Sequence, residues 1–204
     1  MNKILTVSLI YLLLSSSPSR ADEHTPTISP EMFSNAVTAV EMKDFVGAVR
    51  LFAALAEEGE PASQYNLSLL HYKGLGTPEN YKSALYWAWN ASLDGYEKAP
   101  ELVEDILGDV TDKLITEVAE SMIENLTAKA MAGDDEASIK LGKTYYSLVV
   151  EPDIKNAYIW FVIAQALSIE GSDEFLRKVK KEIETADLLL FQSDATATFS
   201  EIVK

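Results

Sequence analysis

The sequence repeats a pair of helix-forming segments, and this repetition limits what the chain can fold into. No stretch alternates apolar and polar residues for long enough to predict a strand, and glycine and proline separate stretches of helical period. A helix pair buries only one side of itself, so repeated pairs must stack on one another. The repetition becomes visible when the sequence is shifted so that Lys82 falls on Lys155. The same shift then places Ala84, Trp87 and Ala91 on Ala157, Trp160 and Ala164.

The same comparison extends beyond one helix pair. A shorter shift places Asp44 on Asn80, which predicts an earlier and shorter copy of the pair. The second and third copies are each followed by a further helical segment. The shift from Lys82 to Lys155 continues through those segments, where it places Leu102, Ile106 and Val110 on Phe175, Val179 and Ile183.

One face of the second helix in the central pair predicts how the helices pack. Ala84, Ala88 and Ala91 are spaced by four and three residues, so they share a face that a neighbouring helix can approach closely. Trp87 lies on the same face and is predicted to fill the space beside the alanines. The loop before this helix, Gly74-Leu75-Gly76, favours a turn with positive φ rather than a phosphate loop, because it follows a helix and lacks a Gly-Lys-Ser/Thr ending.

The stretch QYNLSLLHYKGLGTPENYKSALYWAWNASLDG, residues 64–95, closely resembles a Sel1-like repeat, a relative of the tetratricopeptide repeat. The third copy keeps Gly142 and Trp160 but has Leu148 and Val150 in place of the loop glycines, which predicts a turn of different construction. The residues that carry the resemblance combine a fixed spacing, small side chains and a tryptophan. They are Leu67, His71, Gly74, Gly76, Asn80, Ala84, Trp87, Ala91 and Gly95.

The resemblance implies an all-α fold, an α/α solenoid of antiparallel helix pairs of the Sel1-like or tetratricopeptide-like type. We expect repeats at about 31–60, 62–96 and 137–171, with additional helices over 97–132 and 172–204. The family also implies a module for contacts between proteins. Its exported members often act as adaptors or as regulators of envelope signalling, secretion or motility systems.

The N-terminal segment has the order of a secretory signal peptide. Lys3 is followed by an apolar run of eleven residues, which is shorter than the roughly 20 needed to span a bilayer. Small and polar residues then lead to Ala21, so we expect a signal peptide over 1–21, cleavage after Ala21 and a flexible lead over 22–29. The repeat domain is expected over 30–204. These features predict a periplasmic or secreted protein with no transmembrane anchor in its mature form.

The charge of the chain narrows the class of partner. Removing a leader that carries Lys3, Arg20 and no acid leaves 15 basic and 32 acidic residues, a formal charge of −17. Such a surface repels the phosphates of nucleic acids and the head groups of anionic lipids. We therefore expect no nucleic-acid partner, and we expect another envelope protein or peptide whose contacting segment is basic.

The sequence carries no signature of catalysis, and we expect no cofactor, no metal and no enzymatic activity. The chain has no cysteine and only two histidines, which excludes thiol chemistry, disulfides and His-rich metal sites. No serine has a nucleophile elbow around it. Acidic pairs such as Glu57-Glu58 and Asp173-Glu174 are typical of solvated helix ends. Carboxylates in the groove of an open solenoid remain the one arrangement that could support an enzyme acting on cell-wall material.

The resemblance to tetratricopeptide repeats implies that the first helix of each pair contributes the binding face. Tyrosines with an occasional lysine suit the recognition of a peptide or helix. The alternative interpretation of Leu69 and Ile139 is packing against a neighbouring repeat, and Trp89, predicted to be partly exposed, could contact either another helix or a partner. The candidate binding residues are Tyr65, Leu69, Tyr72, Lys73, Ile139, Lys143, Tyr146 and Trp89.

Three functions therefore remain open from the sequence. The first is an exported adaptor or regulator that binds a partner through the concave face of the solenoid. The second is an envelope enzyme that uses groove carboxylates. The third is a fixed structural component of a secretion or flagellar assembly, which would co-purify with that assembly in a defined ratio.

The leader makes a prediction that a single mass measurement tests. When the full chain is expressed in its own host, the protein in the periplasmic fraction or the medium should have the mass of residues 22–204, because cleavage after Ala21 is expected. Intact-mass spectrometry of the purified protein checks this. A mass that retains residues 1–21 would contradict the prediction of a cleaved signal peptide.

Overall fold

The computed structural model describes residues 30–203, and within this range every regular element is helical. The predicted signal peptide, 1–21, and the lead, 22–29, lie outside the described residues. Within 30–203, no helix combines the length and the apolar character that a membrane crossing requires. The helices are α1 (Pro30–Glu41), α2 (Phe45–Glu57), α3 (Pro61–Lys73), α4 (Tyr81–Leu93), α5 (Ala99–Asp109), α6 (Asp112–Met131), α7 (Glu136–Lys143), a π-helical turn (Thr144–Leu148), α8 (Ile154–Ala166), α9 (Ser172–Lys180) and α10 (Thr185–Ile202).

The helices stack in chain order, which confirms the predicted all-α solenoid of helix pairs. Within the pairs, α1 packs against α2, α3 against α4, and α7 against α8. Helix α2 also contacts α3, so the first pair is joined directly to the second. Helices α5 and α6 both lie against α4, and α9 and α10 both lie against α8. Helix α6 then contacts α7, the π-helical turn and α10, and it connects the two halves of the stack.

The stack contains a duplicated unit of four helices. Helices α4, α5 and α6 begin at Tyr81, Ala99 and Asp112. The shift that relates Lys82 to Lys155 carries these starts to Ile154, Ser172 and Thr185, which begin α8, α9 and α10. We call α3 to α6 the N-terminal module and α7 to α10 the C-terminal module. The repetition seen in the sequence therefore includes the helices outside the minimal helix pair, because those helices occupy matching places against α4 and α8.

The second helix of each pair begins at an equivalent capping residue. The side-chain oxygen of Asp44 accepts a hydrogen bond of 3.0 Å from the backbone N–H of Gly47. Asn80 and Asp153 accept bonds of the same length from the N–H groups three residues further on. An Asp or Asn cap satisfies a backbone donor that the first turn of a helix leaves unpaired. The shift from Asp44 to Asn80, and the shift from Lys82 to Lys155 that also carries Asn80 to Asp153, place the three caps at equivalent positions of the repeated pair.

The loop between the first and second helix of each module ends in an equivalent backbone hydrogen bond, but the two loops follow different turns. In the N-terminal module, Gly74 ends α3 with a φ of +63°, and the N–H of Asn80 donates to the carbonyl of His71 at 3.0 Å. In the C-terminal module, the chain passes through the π-helical turn without a glycine, and the N–H of Asp153 donates to the carbonyl of Tyr145 at 2.9 Å. The different turn predicted for the third copy is therefore confirmed.

The burial of the two tryptophans of α4 is the reverse of the prediction. Trp89 is only 2 % exposed, and it packs with Leu102, Ile106 and Met122 in the core between α4, α5 and α6. Trp87 is half-buried against the cluster formed by α1, α2 and α3. The expectation that Trp89 is partly exposed was wrong because α5 and α6 cover a second side of α4, which the helical period of one pair does not reveal.

Gly76 provides a test of how closely the loop of one pair approaches the helix of the preceding pair. A Cβ atom at Gly76 would lie 2.2 Å from the carbonyl oxygen of Phe45, whereas a Cβ atom at Gly95 would meet nothing within 4 Å. Both glycines have positive φ, so both substitutions by alanine carry the same backbone penalty. Gly76→Ala should lower the free energy of unfolding by about 3 kcal/mol and Gly95→Ala by about 1 kcal/mol, since only the first also clashes with backbone.

Urea denaturation of the two variants and the wild type measures these losses. Equal losses for Gly76→Ala and Gly95→Ala would contradict the close approach between this loop and the start of α2.

Candidate protein-binding surface

Four of the predicted binding residues lie together in one groove between α3 and α5. The groove encloses about 250 Å³ and is partly open to solvent. Its α3 wall contains every candidate residue predicted on that helix, whereas the opposite wall comes from a segment outside the recognised repeat motif. The residues that define this α3–α5 groove are Tyr65, Leu69, Tyr72, Lys73, Lys98, Glu101, Leu102 and Asp105.

The helical period separates the groove face of α3 from its core face. Tyr65, Leu69 and Tyr72 are spaced by four and three residues and share one side of the helix. Leu67 and Leu70 occupy a different side, where both are buried in the cluster shared with α1 and α2. The core contacts of the two leucines hold α3 in place. The tyrosines and Leu69 on the other side therefore face the groove and are not needed to anchor the helix.

Hydrogen bonding and ring contacts fix the aromatic wall of the groove. The hydroxyl of Tyr72 donates a hydrogen bond of 2.6 Å to the carboxylate of Asp109 on α5. The ring of Tyr72 also lies 5.7 Å from the ring of Tyr81, and that of Tyr65 lies 4.9 Å from Tyr96. These contacts limit the rotamers of both tyrosines, so a ligand that packs on them would lose little of its binding energy to ordering the side chains.

The groove combines two acids of α5 with two lysines. Helix α5 carries four acids and no base, with Glu101 and Asp105 in the groove wall. Lys73 and Lys98 lie at the edge of the same groove. The bond from Tyr72 to Asp109, together with the burial of the phenol and the charge of the carboxylate, raises the pKa of Tyr72 to about 12. The phenol therefore stays protonated and remains a donor to Asp109 over the whole physiological range.

The C-terminal module repeats part of this arrangement. The hydroxyl of Tyr146 donates a hydrogen bond of 2.6 Å to the carboxylate of Glu182, and these two residues match Tyr72 and Asp109 in the duplicated unit. The hydrogen bond raises the pKa of Tyr146 in the same direction. Lys143 is half-buried with its ammonium 5.2 Å from the centre of the Phe175 ring. Burial, and then the charge of the neighbouring Lys140, lower the pKa of Lys143.

Two of the predicted binding residues are not accessible. Ile139 is 5 % exposed and packs with Phe161 and Leu176 in the core of the C-terminal module, so the alternative interpretation of this residue as a packing residue is correct. The physical reason is that α8 and α9 both close over α7. Trp89 is buried in the core of the N-terminal module, as described above. Neither side chain can contact a partner while the helices remain packed.

The sequence analysis did not identify the α5 wall of the groove. Glu101, Leu102 and Asp105 lie outside the repeat motif and have no signature of their own. A signal was present in the duplication, because the shift that relates the two modules places Asp109 on Glu182 and brings Tyr72 next to Tyr146. A tyrosine and a carboxylate that recur together at nearly the same separation indicate a contact between the helices that carry them.

Metal coordination has no support among the described residues. Within residues 30–203, no group of three or more histidine, cysteine or carboxylate side chains is placed for coordination. The α3–α5 groove is lined by two tyrosine rings, two leucines, two carboxylates and two ammonium groups. Such a surface suits the recognition of an extended or helical segment of another protein.

Comparison with known proteins agrees with the helix pairs described above. The Sel1 repeat family matches residues 61–91 and 135–164, which begin at α3 and just before α7 and end within α4 and α8. No curated protein matches the chain. Among solved structures, one similar chain is c5321, described as a protective antigen of uropathogenic Escherichia coli with an SLR fold. It shares 18 % identity over 76 % of this chain with a TM-score of 0.36, and the match spans 41 % of that protein's length.

Titration tests the bond between Tyr72 and Asp109. A raised pKa in the folded state means that this bond stabilises the protein fully below pH 10 and that the stabilisation is lost as the pH rises from 10 to about 12. The tyrosinate absorbance of the wild type minus that of Tyr72→Phe should therefore titrate near pH 12 rather than near pH 10. Asp109→Asn serves as the control, because removing the carboxylate should return the Tyr72 titration toward pH 10. A difference curve centred at pH 10 in the wild type would refute the bond.

Proposed function

We propose that this chain, a member of the Sel1 repeat family, is an exported adaptor or regulator that binds a segment of another envelope protein in the α3–α5 groove. Sel1 repeats generally mediate contacts between proteins. The chain carries two matches to this repeat, and the general role follows from them. The export, the envelope partner and the groove are the parts that this proposal adds. They are supported by the signal-like leader, the acidic surface and the geometry of the groove.

The single observation that carries the proposal is the pre-organised aromatic wall of the groove. Tyr72 is held from behind by Asp109, and Tyr65 is held by Tyr96. Aromatic side chains with restricted rotamers contribute much of the energy at protein interfaces. A groove that is partly open to solvent and has such a wall fits a peptide segment, whereas carboxylate catalysis calls for a closed pocket that excludes water.

The charges of the groove define the segment that fits it. Glu101 and Asp105 form an acidic wall, and the helix that carries them has no base. A basic residue of the partner would lie against these carboxylates, while an aliphatic or aromatic residue would pack on Leu69 and the two tyrosine rings. The overall charge of −15 on the full chain would also attract a basic partner over longer distances.

A charge-reversal experiment tests the groove in the context of the full chain. The tagged chain carries a photo-crosslinking residue at Lys73, which is exposed at the edge of the groove, and is crosslinked in its own host. We expect one dominant protein adduct, and Glu101→Lys/Asp105→Lys should reduce its yield about tenfold or more, because the segment loses its counter-charge. Mass spectrometry of the adduct identifies the partner and the crosslinked segment.

The matched control for this experiment is Glu120→Lys/Glu124→Lys. Both residues are exposed on α6, away from the groove, and the two double variants change the net charge by the same amount. The control should keep the adduct, since the proposal assigns the effect to the groove. If both double variants lose the adduct equally, overall charge rather than the groove governs binding. If the wild type forms no adduct at Lys73 in any growth condition, the groove does not bind a protein.

A further inference from the structure

A polar cavity lies where the first helix pair meets the two modules. It encloses about 130 Å³, and its walls come from α2, α3, α4, α6 and α7. None of the residues that line the α3–α5 groove lines this cavity, so the two sites are separate. We call it the junction cavity, and the residues that decide its chemistry are Glu57, Gln64, Tyr86, Trp87, Lys129 and Asp134.

Gln64 brings a buried hydrogen-bond acceptor to this cavity. The residue is 3 % exposed, and its amide nitrogen donates to the carbonyl of Ala56 at 3.5 Å. Its Oε1 atom is also buried, and it accepts no hydrogen bond from any residue of 30–203. Turning the amide over would place this oxygen against the carbonyl of Ala56, so the contact fixes Oε1 as the end that remains available. A buried acceptor of this kind calls for a donor in the cavity beside it.

The duplicated unit shows that the helix pair itself does not require a glutamine at this place. Ser138 of the C-terminal module stands where Gln64 stands in the N-terminal module. Each lies three residues before a matched leucine, Leu141 or Leu67. Ser138 is buried as well, but its hydroxyl donates a hydrogen bond of 2.6 Å to the carbonyl of Asp135. One module thus uses a small side chain that has its own partner, whereas the other keeps a longer side chain with an available acceptor.

The charges of the lining favour a cation. The lining contains three carboxylates and two ammonium groups, so negative charge is in excess. Asp94 and Lys140 form an ion pair with each other. Glu57 and Asp134 form no ion pair with any residue of 30–203, and neither does the exposed Lys129. Two carboxylates and one ammonium group of the lining are therefore left without a partner of opposite charge in this part of the chain.

Two aromatic rings provide a surface for a flat cation. The rings of Tyr86 and Trp87 lie at 85° to each other with their centres 5.1 Å apart, and both line the cavity. Burial, and then the negative charge of Glu57, raise the pKa of the Tyr86 phenol. The phenol therefore stays neutral, and the charge of Glu57 reaches this aromatic wall. Cations bind over the faces of such rings, and a guanidinium group stacks on them.

We propose that the junction cavity binds a guanidinium group, and this proposal does not rest on the function proposed above. Water would satisfy the Gln64 oxygen alone, whereas a cation also neutralises the unpaired carboxylates of Glu57 and Asp134. The N–H donors of a guanidinium group lie in one plane and reach several acceptors while the plane stacks on a ring. An ammonium group has three donors and no flat face.

The size of the cavity agrees with this ligand. In another protein, an engineered cavity of about 150 Å³ holds one benzene molecule, which is slightly larger than methylguanidinium. The junction cavity, at about 130 Å³, therefore accommodates the guanidinium group and little more. The group belongs either to a small free molecule or to an arginine side chain of a partner protein.

An NMR titration of the ¹⁵N-labelled chain with methylguanidinium chloride tests the proposal. Of the three tryptophans, Trp87, Trp89 and Trp160, only Trp87 lines the cavity, and Trp87→Phe identifies its indole N–H signal. We expect this signal to shift with a dissociation constant of about 1 mM, while the other two indole signals stay in place. The neutral N-methylurea, which has the same shape, should not shift it, and methylamine should bind about tenfold more weakly. No shift of Trp87 up to about 50 mM methylguanidinium, or an equal shift with N-methylurea, overturns the proposal.

Gln64→Leu tests the buried acceptor. The carbonyl of Ala56 keeps its hydrogen bond from the N–H of Gly59, so the substitution leaves no new buried polar group without a partner. The urea midpoint of the variant should equal or exceed that of the wild type, and its dissociation constant for methylguanidinium should rise about tenfold. Unchanged binding by a folded Gln64→Leu variant would refute the role of this oxygen and the site with it.

A second pair of variants tests the carboxylates with exposed residues only. Glu57→Gln/Asp134→Asn should raise the dissociation constant about tenfold, because the cation loses its counter-charges. The matched control is Glu58→Gln/Asp135→Asn, since these residues are the exposed neighbours in the chain, lie outside the lining and change the net charge equally. The control should bind as the wild type does. Equal weakening in both double variants would mean that overall charge attracts the cation, and the site would be overturned.

A tripeptide, Ala-Arg-Ala with both ends blocked, identifies the source of the guanidinium group. If the cavity receives an arginine side chain of a partner, the tripeptide should shift the Trp87 signal with an affinity at least equal to that of methylguanidinium. If the cavity receives a free molecule, the tripeptide should be excluded and only methylguanidinium should bind. Both results uphold the guanidinium site and assign its source.

Discussion

The close approach of helices within each pair is the constraint on which the rest of the structure depends. In the N-terminal module, the hydroxyl of Ser68 is buried and donates a hydrogen bond of 2.7 Å to the carbonyl of Ala84. In the C-terminal module the same place holds Gly142, where an added Cβ would lie 2.5 Å from the ring of Phe161. The residue that matches Phe161 in the first module is Ala88. The N-terminal module thus combines the larger Ser68 with the smaller Ala88, and the C-terminal module combines the smaller Gly142 with the larger Phe161. The two helices can pack closely in both pairs.

Because the pairs close through small residues, α4 and α8 each become the centre of a module. Ala84, Ala88 and Ala91 of α4 are fully buried, and the carbonyl of Ala84 accepts the hydrogen bond from Ser68 of α3. The remaining sides of α4 are then free to receive α5 and α6. Because α5 packs on α4, a gap remains between α5 and one side of α3. That gap is the α3–α5 groove. The groove is a consequence of how α5 is seated on α4.

The two modules show how duplication preserves a framework while its surfaces change. Both modules keep a tyrosine–carboxylate bond. Tyr72 of α3 bonds to Asp109 of α5, and Tyr146 in the π-helical turn after α7 bonds to Glu182 just after α9. The surfaces around these bonds differ in charge. Helix α5 carries four acids and no base, whereas the matching α9 ends in Arg177, Lys178 and Lys180. The surfaces of α5 and α9 are therefore chemically distinct, although the two helices occupy equivalent places in their modules.

The sequence by itself determined the helices and their order. Glycine and proline marked the breaks between helical stretches, and two sequence shifts related the helix pairs to one another, because both signals lie in the local order of residues. The sequence also placed Tyr65, Leu69, Tyr72 and Lys73 on one side of α3, since helical spacing is local. Only the tertiary structure decided which of those sides meets solvent. Trp89 and Ile139 are buried, and α5 completes the groove, because burial depends on how many helices pack around each one. Those neighbours come from distant parts of the chain, where no local spacing records them.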